Sequence, residues 1–391
     1  MRMLFSTTGG VGHFGPLVPV ARACAAAGHE VSVAAPASFG ARVSASGLTH
    51  LPFPDVPADL MGPVFERVAG LSVEEANRLV VTEVFGRLDA QAALPALAEI
   101  VDRTRPDIVV RDPCELGAAV AAEHAGVPQV QVAIGVDQFL LTAAGWLDEP
   151  VRELESLAGV RDGRGQDLIL GTPTLTTVPA VLDHDPAGFP ADEPRRLWRF
   201  RHPTTVPTGP SLPGRWGDQD TPLLYVSFGS VAGSLPAFAG LYAAVLDVLA
   251  TEPFRVLMTT GTGVDPATLR PVPANAHVVQ WWPQEAAMLE AAVVIGHGGF
   301  GTTMAALSAG VPQLVLPLFA LDQFLNAQRV EAVRAGAQVL GGLSAVREIP
   351  AALHTLLQDT YAADAAGRVA GAMAALPEIA ECVEVLEDLA S

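Results

Sequence analysis

The sequence predicts an α/β fold of two doubly wound, mainly parallel-sheet domains, and three observations lead there. Short apolar runs alternate with amphipathic helical stretches from residue 3 to about 134 and again from 223 to about 340. A Pro-, Gly-, Asp- and Arg-rich stretch from about 160 to 221 interrupts the alternation. Finally, Ala125-Gly126-Val127-Pro128-Gln129 before Asp137-Gln138-Phe139 is echoed by Ala309-Gly310-Val311-Pro312-Gln313 before Asp322-Gln323-Phe324, as two related Rossmann-like halves require.

In order, residues 3–8 read as a buried strand, 14–27 as a helix ending at Gly28, and 30–35 as a second strand. A helix over 89–104, the strand Asp107–Arg111, a helix over 115–125 and the strand Pro128–Ile134 continue the series. After the irregular edge, Leu223–Phe228 opens the second series, with strands at Val293–Ile295 and Leu314–Leu316 and a helix from about Thr302 to Ala309. An acidic helix near 378–390 follows Pro377. The expected boundaries are an N-terminal domain over 1–205, a linker over 206–221, a second domain over 222–375 and a closing helix over 376–391.

Composition narrows the function. The chain has 391 residues, half of them hydrophobic, enough for substantial cores. Its 42 acidic against 23 basic residues leave a net charge of −19, which repels nucleic acid and anionic lipid. Every basic residue is arginine, so lysine Schiff bases and a Walker-type phosphate lysine are excluded. Together with the alanine content, this points to a high-GC bacterial, actinobacterial-type source. Cys24, Cys114 and Cys382 are isolated, as reduced thiols are, and no run approaches a spanning helix. A cytoplasmic location, no stable membrane association and a monomer or homodimer are expected.

The richest stretch runs from Trp281 to Asn326. The strand Val293–Ile295 enters Gly296-His297-Gly298-Gly299-Phe300-Gly301 and a helix follows, placing unpaired N–H groups where the backbone can approach an anion. His297 and the Thr302 hydroxyl can donate to a diphosphate, and Gly229-Ser230, after Phe228, can close on it. Trp281, in Trp281-Trp282-Pro283-Gln284, offers a face on which a base can stack, and at least one of the two tryptophans is expected in the core. Asp322 and Gln323 follow a strand's carboxyl end and suit vicinal sugar hydroxyls, a helix cap being the alternative.

Gly10-Val11-Gly12-His13-Phe14-Gly15 matches a dinucleotide fingerprint, yet the second strand ends in Pro36 with no carboxylate for an adenosine ribose, and Pro16 follows the third glycine. His13 is instead expected on a loop facing the cleft between the domains, as a general base. Asp112, at the carboxyl edge of the same sheet, is its expected orienting partner, or else a helix cap. Asp183-His184-Asp185 has the spacing of a metal-binding carboxylate pair but lies in a proline-bounded irregular stretch, so a solvated loop and no metal are expected.

The Trp-x-Pro-Gln, His-Gly-Gly-x-Gly-Thr and Asp-Gln motifs in this order, with the start Gly12-His13-Phe14-Gly15-Pro16-Leu17, resemble the nucleotide-sugar-dependent glycosyltransferases of GT-B fold. The resembling family includes bacterial natural-product transferases and the UDP-glycosyltransferases. The resemblance implies that Trp281 stacks on the donor base, Trp282 meets it through its main chain and Gln284 approaches the ribose. It implies that His297, Gly299, Phe300, Gly301 and Thr302 bind diphosphate, that Asp322 and Gln323 hold the donor sugar, and that His13 with Asp112 deprotonates the acceptor. The last helix would cross back to the first domain.

Two departures stand out. UDP-sugar members commonly carry a glutamate eight residues after the phosphate histidine, where this chain has Ala305, and Gly296 replaces a second histidine found in many bacterial members. The missing glutamate points to a dTDP-sugar rather than a UDP-sugar co-substrate, with no other cofactor. The implied enzyme is an inverting hexosyltransferase of antibiotic-type secondary metabolism, moving a 6-deoxyhexose to a hydroxyl of a hydrophobic aglycone. Phe85, Phe139, Trp146 and the region from Phe53 to Phe65 are the candidate acceptor surface. A nucleotide-sugar 2-epimerase and a non-catalytic helper of a partner transferase share the architecture and remain alternatives.

Overall fold

The computed structural model describes residues 1–68, 70–160, 163–183, 196–204, 208–358 and 360–391. The chain divides into two compact units, one comprising Met1–Thr177 with the strand Leu197–Arg199 and Pro377–Ser391, the other built on His202–Leu376.

The first unit carries a parallel sheet of β1 (Arg2–Ser6), β2 (Glu30–Pro36), β3 (Thr49–Phe53), β4 (Ile108–Arg111), β5 (Gln129–Val132), β6 (Thr174–Thr176) and β7 (Leu197–Arg199), in the order 3-2-1-4-5-6-7. β1 and β4 at its centre are apolar over most of their length because helices cover both faces, leaving no solvated side to select for alternation. β6 and β7 fall inside the stretch read as irregular from sequence. Three-residue strands offer too few positions for a period to register.

The second unit repeats the plan with β8 (Leu223–Ser227), β9 (Arg255–Thr259), β10 (Ala276–Val279), β11 (Ala291–Gly296), β12 (Gln313–Val315) and β13 (Gly336–Gln338), in the order 10-9-8-11-12-13. The sequence echo is now a topological one. Gly126 and Gly310 both have positive φ, at 66° and 69°, just beyond a helix, and each is followed by an equivalent strand, β5 or β12.

Each sheet reverses its winding at one place, between β1 and β4 and between β8 and β11. Open α/β sheets bind ligands outside the carboxyl ends of strands at such switch points. Ser6 pairs with Arg111 at the first and Ser227 with Gly296 at the second, so the chain leaves both switches through the candidate loops.

The closing helix Cys382–Ala390 buries Cys382, Val383 and Leu386 in the first unit's core beside Cys24 and Leu17, with Arg201 and Glu378 paired nearby. Among the described residues, no helix is long and apolar enough to cross a membrane.

Candidate active site

In the first unit, His13 lies in the first turn of the helix Val11–Ala26 rather than on a loop. The helix begins earlier than expected because Gly10 is extended at its N-cap and its carbonyl already accepts the Phe14 N–H at 2.9 Å, and Pro16 lies inside the helix. Gly12 and Gly15 are therefore helical, and a Cβ at either would meet nothing within 4 Å. The apparent dinucleotide fingerprint thus spans the N-cap and the first turns of this helix.

His13 Nδ1 lies 3.1 Å from Asp112 Oδ1. Asp112 is no helix cap, since Glu115 caps the helix Leu116–Ala125 by accepting from Ala118 N–H. The Asp112 carboxylate, with its side chain 0% exposed, also accepts the Thr8 N–H at 2.9 Å and the Cys114 N–H at 2.8 Å. Burial alone would drive its pKa up, but the charge and hydrogen bond of His13 and the two N–H donors lower it. Burial likewise opposes charge on His13, and Asp112 outweighs it, holding the imidazole well above its usual pKa. The pair fixes Nδ1 against the carboxylate and leaves Nε2 as the other ring edge, with the side chain 21% exposed.

Phe85 stacks against this imidazole, ring centroids 5.1 Å apart, from a segment Val80–Asp89 wound wider than an α-helix. Such π-wound turns recur at functional sites. Phe139 is half-buried at the start of Asp137–Leu157, with Gly135 close by, whereas Trp146 on the same helix packs against the core.

Charged neighbours escaped the sequence reading. Asp89, at the end of the wide turn, is raised to about 6 chiefly by burial, with His13 pulling it back. Glu115, hydrogen bonded by Ser6 at 2.7 Å, is raised by burial to about 7. Arg111 is fully buried and lowered by that burial to about 10. Pairing of β1 with β4 brings Glu115 to Ser6 and Asp112 to the Thr8 N–H, while Asp89 comes from the separate segment Val80–Asp89, and no local motif announces either.

In the second unit, the helix Phe300–Ser308 begins two residues before the expected position, and no side chain caps it. Its first turn, including Gly301 and Thr302, keeps donors for an anion. Phe300 itself is buried. His297 is held edge-on between two glycines: a Cβ at Gly229 would come within 2.7 Å of its ring and one at Gly299 within 2.6 Å. Burial lowers His297 to about 4, so near neutral pH it is an uncharged imidazole, and its buried Nδ1 has no hydrogen-bond partner among the described residues. Ser230 is exposed beside Gly229.

The two tryptophans divide their work. Trp281 is 72% exposed, whereas Trp282 packs on the core under β8 and β11 and donates its indole N–H to Ser211 O at 2.9 Å. Gln284 Oε1 accepts from the Thr302 hydroxyl at 3.2 Å, tying the Trp-x-Pro-Gln turn to the anion-facing helix. Ala305 is buried in the same apolar cluster.

Gln323 is buried, and its Oε1 accepts the Leu318 and Phe319 N–H groups at 2.9 and 3.1 Å. Only its amide nitrogen is left to address a ligand. Asp322, half-exposed, precedes it on the first turn of Leu321–Ala332. Asn326, one turn further, donates to Gly298 O at 2.7 Å, and a Cβ on Gly298 would strike Gln323 O at 2.6 Å. Asn326 is thus a positioning residue that the sequence reading left without a role; its spacing from Gln323 on one helical face is the signal. Asp183 ends the helix Ala180–Asp183, and His184 and Asp185 lie outside the described residues.

Comparison with known proteins adds to this geometry. The model for the N-terminal domain of erythromycin biosynthesis protein CIII-like proteins matches residues 22–188, and that for their C-terminal domain matches 244–389. L-demethylnoviosyl transferase of Streptomyces niveus is 32% identical over 368 residues, 92% of this chain and 90% of its own. The crystal structure of the glycosyltransferase SnogD from Streptomyces nogalater superposes with a TM-score of 0.76 at 27% identity, covering 100% of this chain and 99% of its own. Spinosyn rhamnosyltransferase SpnG complexed with thymidine diphosphate gives a TM-score of 0.78 at 23% identity, covering 99% of this chain and 100% of its own.

Proposed function

The chain belongs to the erythromycin biosynthesis protein CIII-like family of GT-B glycosyltransferases, and from that premise we propose that it is an inverting transferase moving a 6-deoxyhexose from a dTDP donor to a hydroxyl of a hydrophobic natural product. The observation that carries the mechanism is the His13–Asp112 pair at the first unit's switch point, 3.1 Å apart with the carboxylate fully buried.

His13 Nε2 takes the proton of the acceptor hydroxyl as its oxygen attacks the anomeric carbon. The bond from that carbon to the diphosphate breaks on the opposite face, the electron pair leaves with the diphosphate, and configuration inverts. Asp112 holds the imidazole by Nδ1 and stabilises the imidazolium that forms. Phe85, and more weakly Phe139, border the acceptor hydroxyl; Trp146 acts through packing.

In the second unit, the first-turn N–H groups of Phe300–Ser308 and the neutral His297 receive the departing diphosphate, with Gly229, Ser230 and Gly299 allowing close approach. Trp281 stacks on the base. Asp322 and the Gln323 amide nitrogen take sugar hydroxyls, while Gln323 oxygen and Gln284 hold their own loops in shape. The chemistry calls on no metal, because fixed N–H donors supply the leaving-group stabilisation. Thymidine diphosphate in the SpnG complex supports the donor assignment, as does the apolar Ala305 where a ribose-gripping glutamate would stand.

Calorimetric titration with dTDP and UDP tests the donor. Tighter dTDP binding is expected, and a clear preference for UDP would contradict the assignment.

A further inference from the structure

Cys114 has no part in the transfer chemistry above, yet it stands at the base. Asp112 Oδ1 accepts the Cys114 N–H at 2.8 Å across Pro113, a tight turn that folds the thiol back toward the carboxylate. One ligand atom each from His13, Asp112 and Cys114 lie within 4.8 Å of one another. Asp112 and Cys114 are buried, and His13 is the member open to solvent.

We propose that His13, Asp112 and Cys114 form a three-ligand site for a soft divalent cation such as Zn²⁺ or Cd²⁺, and that its occupation switches the transferase off. Thiolate, imidazole and carboxylate bind such ions at roughly 2.0–2.3 Å in tetrahedral sites, so the trio closes on the ion with side-chain shifts of about 1 Å. Water fills the fourth position on the His13 side. Soft ions are favoured because a thiolate is one of the donors, while Mg²⁺ and Ca²⁺ gain a single protein oxygen.

Protons balance as follows. The thiol proton of Cys114 leaves to solvent, and the metal displaces hydrogen from His13 Nδ1. From the imidazolium that proton also leaves; from the neutral ring it moves to Nε2. Either way Nε2 ends protonated and cannot accept from the acceptor hydroxyl. The inhibitory step rests on the reading of His13 as base; the metal site does not.

The test is Cd²⁺ titration of the full chain, following the ultraviolet charge-transfer band of a cadmium thiolate, with Zn²⁺ inhibition of transfer measured in parallel. The band is expected in the native chain and in the Cys24→Ser/Cys382→Ser variant, and lost in Cys114→Ser. Thermal melting establishes that each variant is folded, and His13→Ala keeps Cys114 while weakening Cd²⁺ affinity by more than the roughly 10–100-fold cost of losing an outer partner. No band in the native chain, a band surviving Cys114→Ser, or unchanged affinity in His13→Ala overturns the site. A Cys114-dependent band with transfer unimpaired by saturating Zn²⁺ keeps the site and overturns His13 as the base.

Discussion

Replacing Asp112 by Asn removes one charge and leaves the shape of the site. At 3.1 Å, with an effective dielectric constant of about 20, a carboxylate and an imidazolium attract by about 5 kcal/mol, which bounds the transition-state loss at roughly four decades. The side chain of His13 is partly solvated, and the neutral amide can still meet Nδ1, so the expected fall in kcat is between about a hundredfold and ten-thousandfold. Asp112 also raises the imidazole pKa, and a base works only when neutral. Activity of the native enzyme should therefore rise with pH through a limb above the ordinary histidine range, and in Asp112→Asn that limb should move to lower pH. Initial rates across pH, with donor binding measured on the same preparations, make the assay. A variant with native turnover, or a limb that stays in place, would refute Asp112 as the partner of a catalytic base.

Other consequences follow from the same geometry. Trp281→Ala should weaken dTDP binding by about 1–3 kcal/mol and leave the melting temperature unchanged, because the ring is exposed. Trp282→Ala should instead lower the melting temperature, since it removes core packing and leaves Ser211 O without its donor. Asn326→Ala leaves the Gly298 carbonyl unpaired at a cost of about 1–3 kcal/mol, read as lower stability together with a raised donor KM. The His13–Asp112 pair also sets a stability window. The raised His13 pKa contributes stability that is complete below the unfolded value near 6.5 and fades as pH rises through the folded one. The lowered Asp112 pKa contributes above about 3.9 and fades as pH falls. In Asp112→Asn, chemical denaturation should show a lower plateau of stability between those limits than in the native chain.

Much of the fold was legible because its signals are local. Long apolar strands, the glycines ending helices and the echo at Gly126 and Gly310 each depend on a few consecutive residues. The short strands β6 and β7 carry no such period and are held by pairing, β6 to β5 and β7 to β6, which a linear reading does not contain. The site divides the same way. His297 and Gly299 stand in one motif and Trp281 in another, each a run of consecutive residues that can be read from sequence. Glu115 reaches Ser6 and Asp112 reaches the Thr8 N–H only because β1 and β4 are neighbours, and Asp89 comes from a third, separate segment. Gln284, Gln323 and Thr302 also show that a polar residue in a motif can spend its hydrogen bonds on the scaffold, and sequence alone does not say which oxygen is committed.

The most direct measurement is mass spectrometry, with NMR of the anomeric centre, on a reaction of the purified chain with a dTDP-6-deoxyhexose and a panel of hydrophobic hydroxylated acceptors. A glycoside with inverted anomeric configuration, formed by the native chain and not by His13→Ala, is the predicted result. Consumption of the donor without any acceptor, or equal product from His13→Ala, would contradict the account.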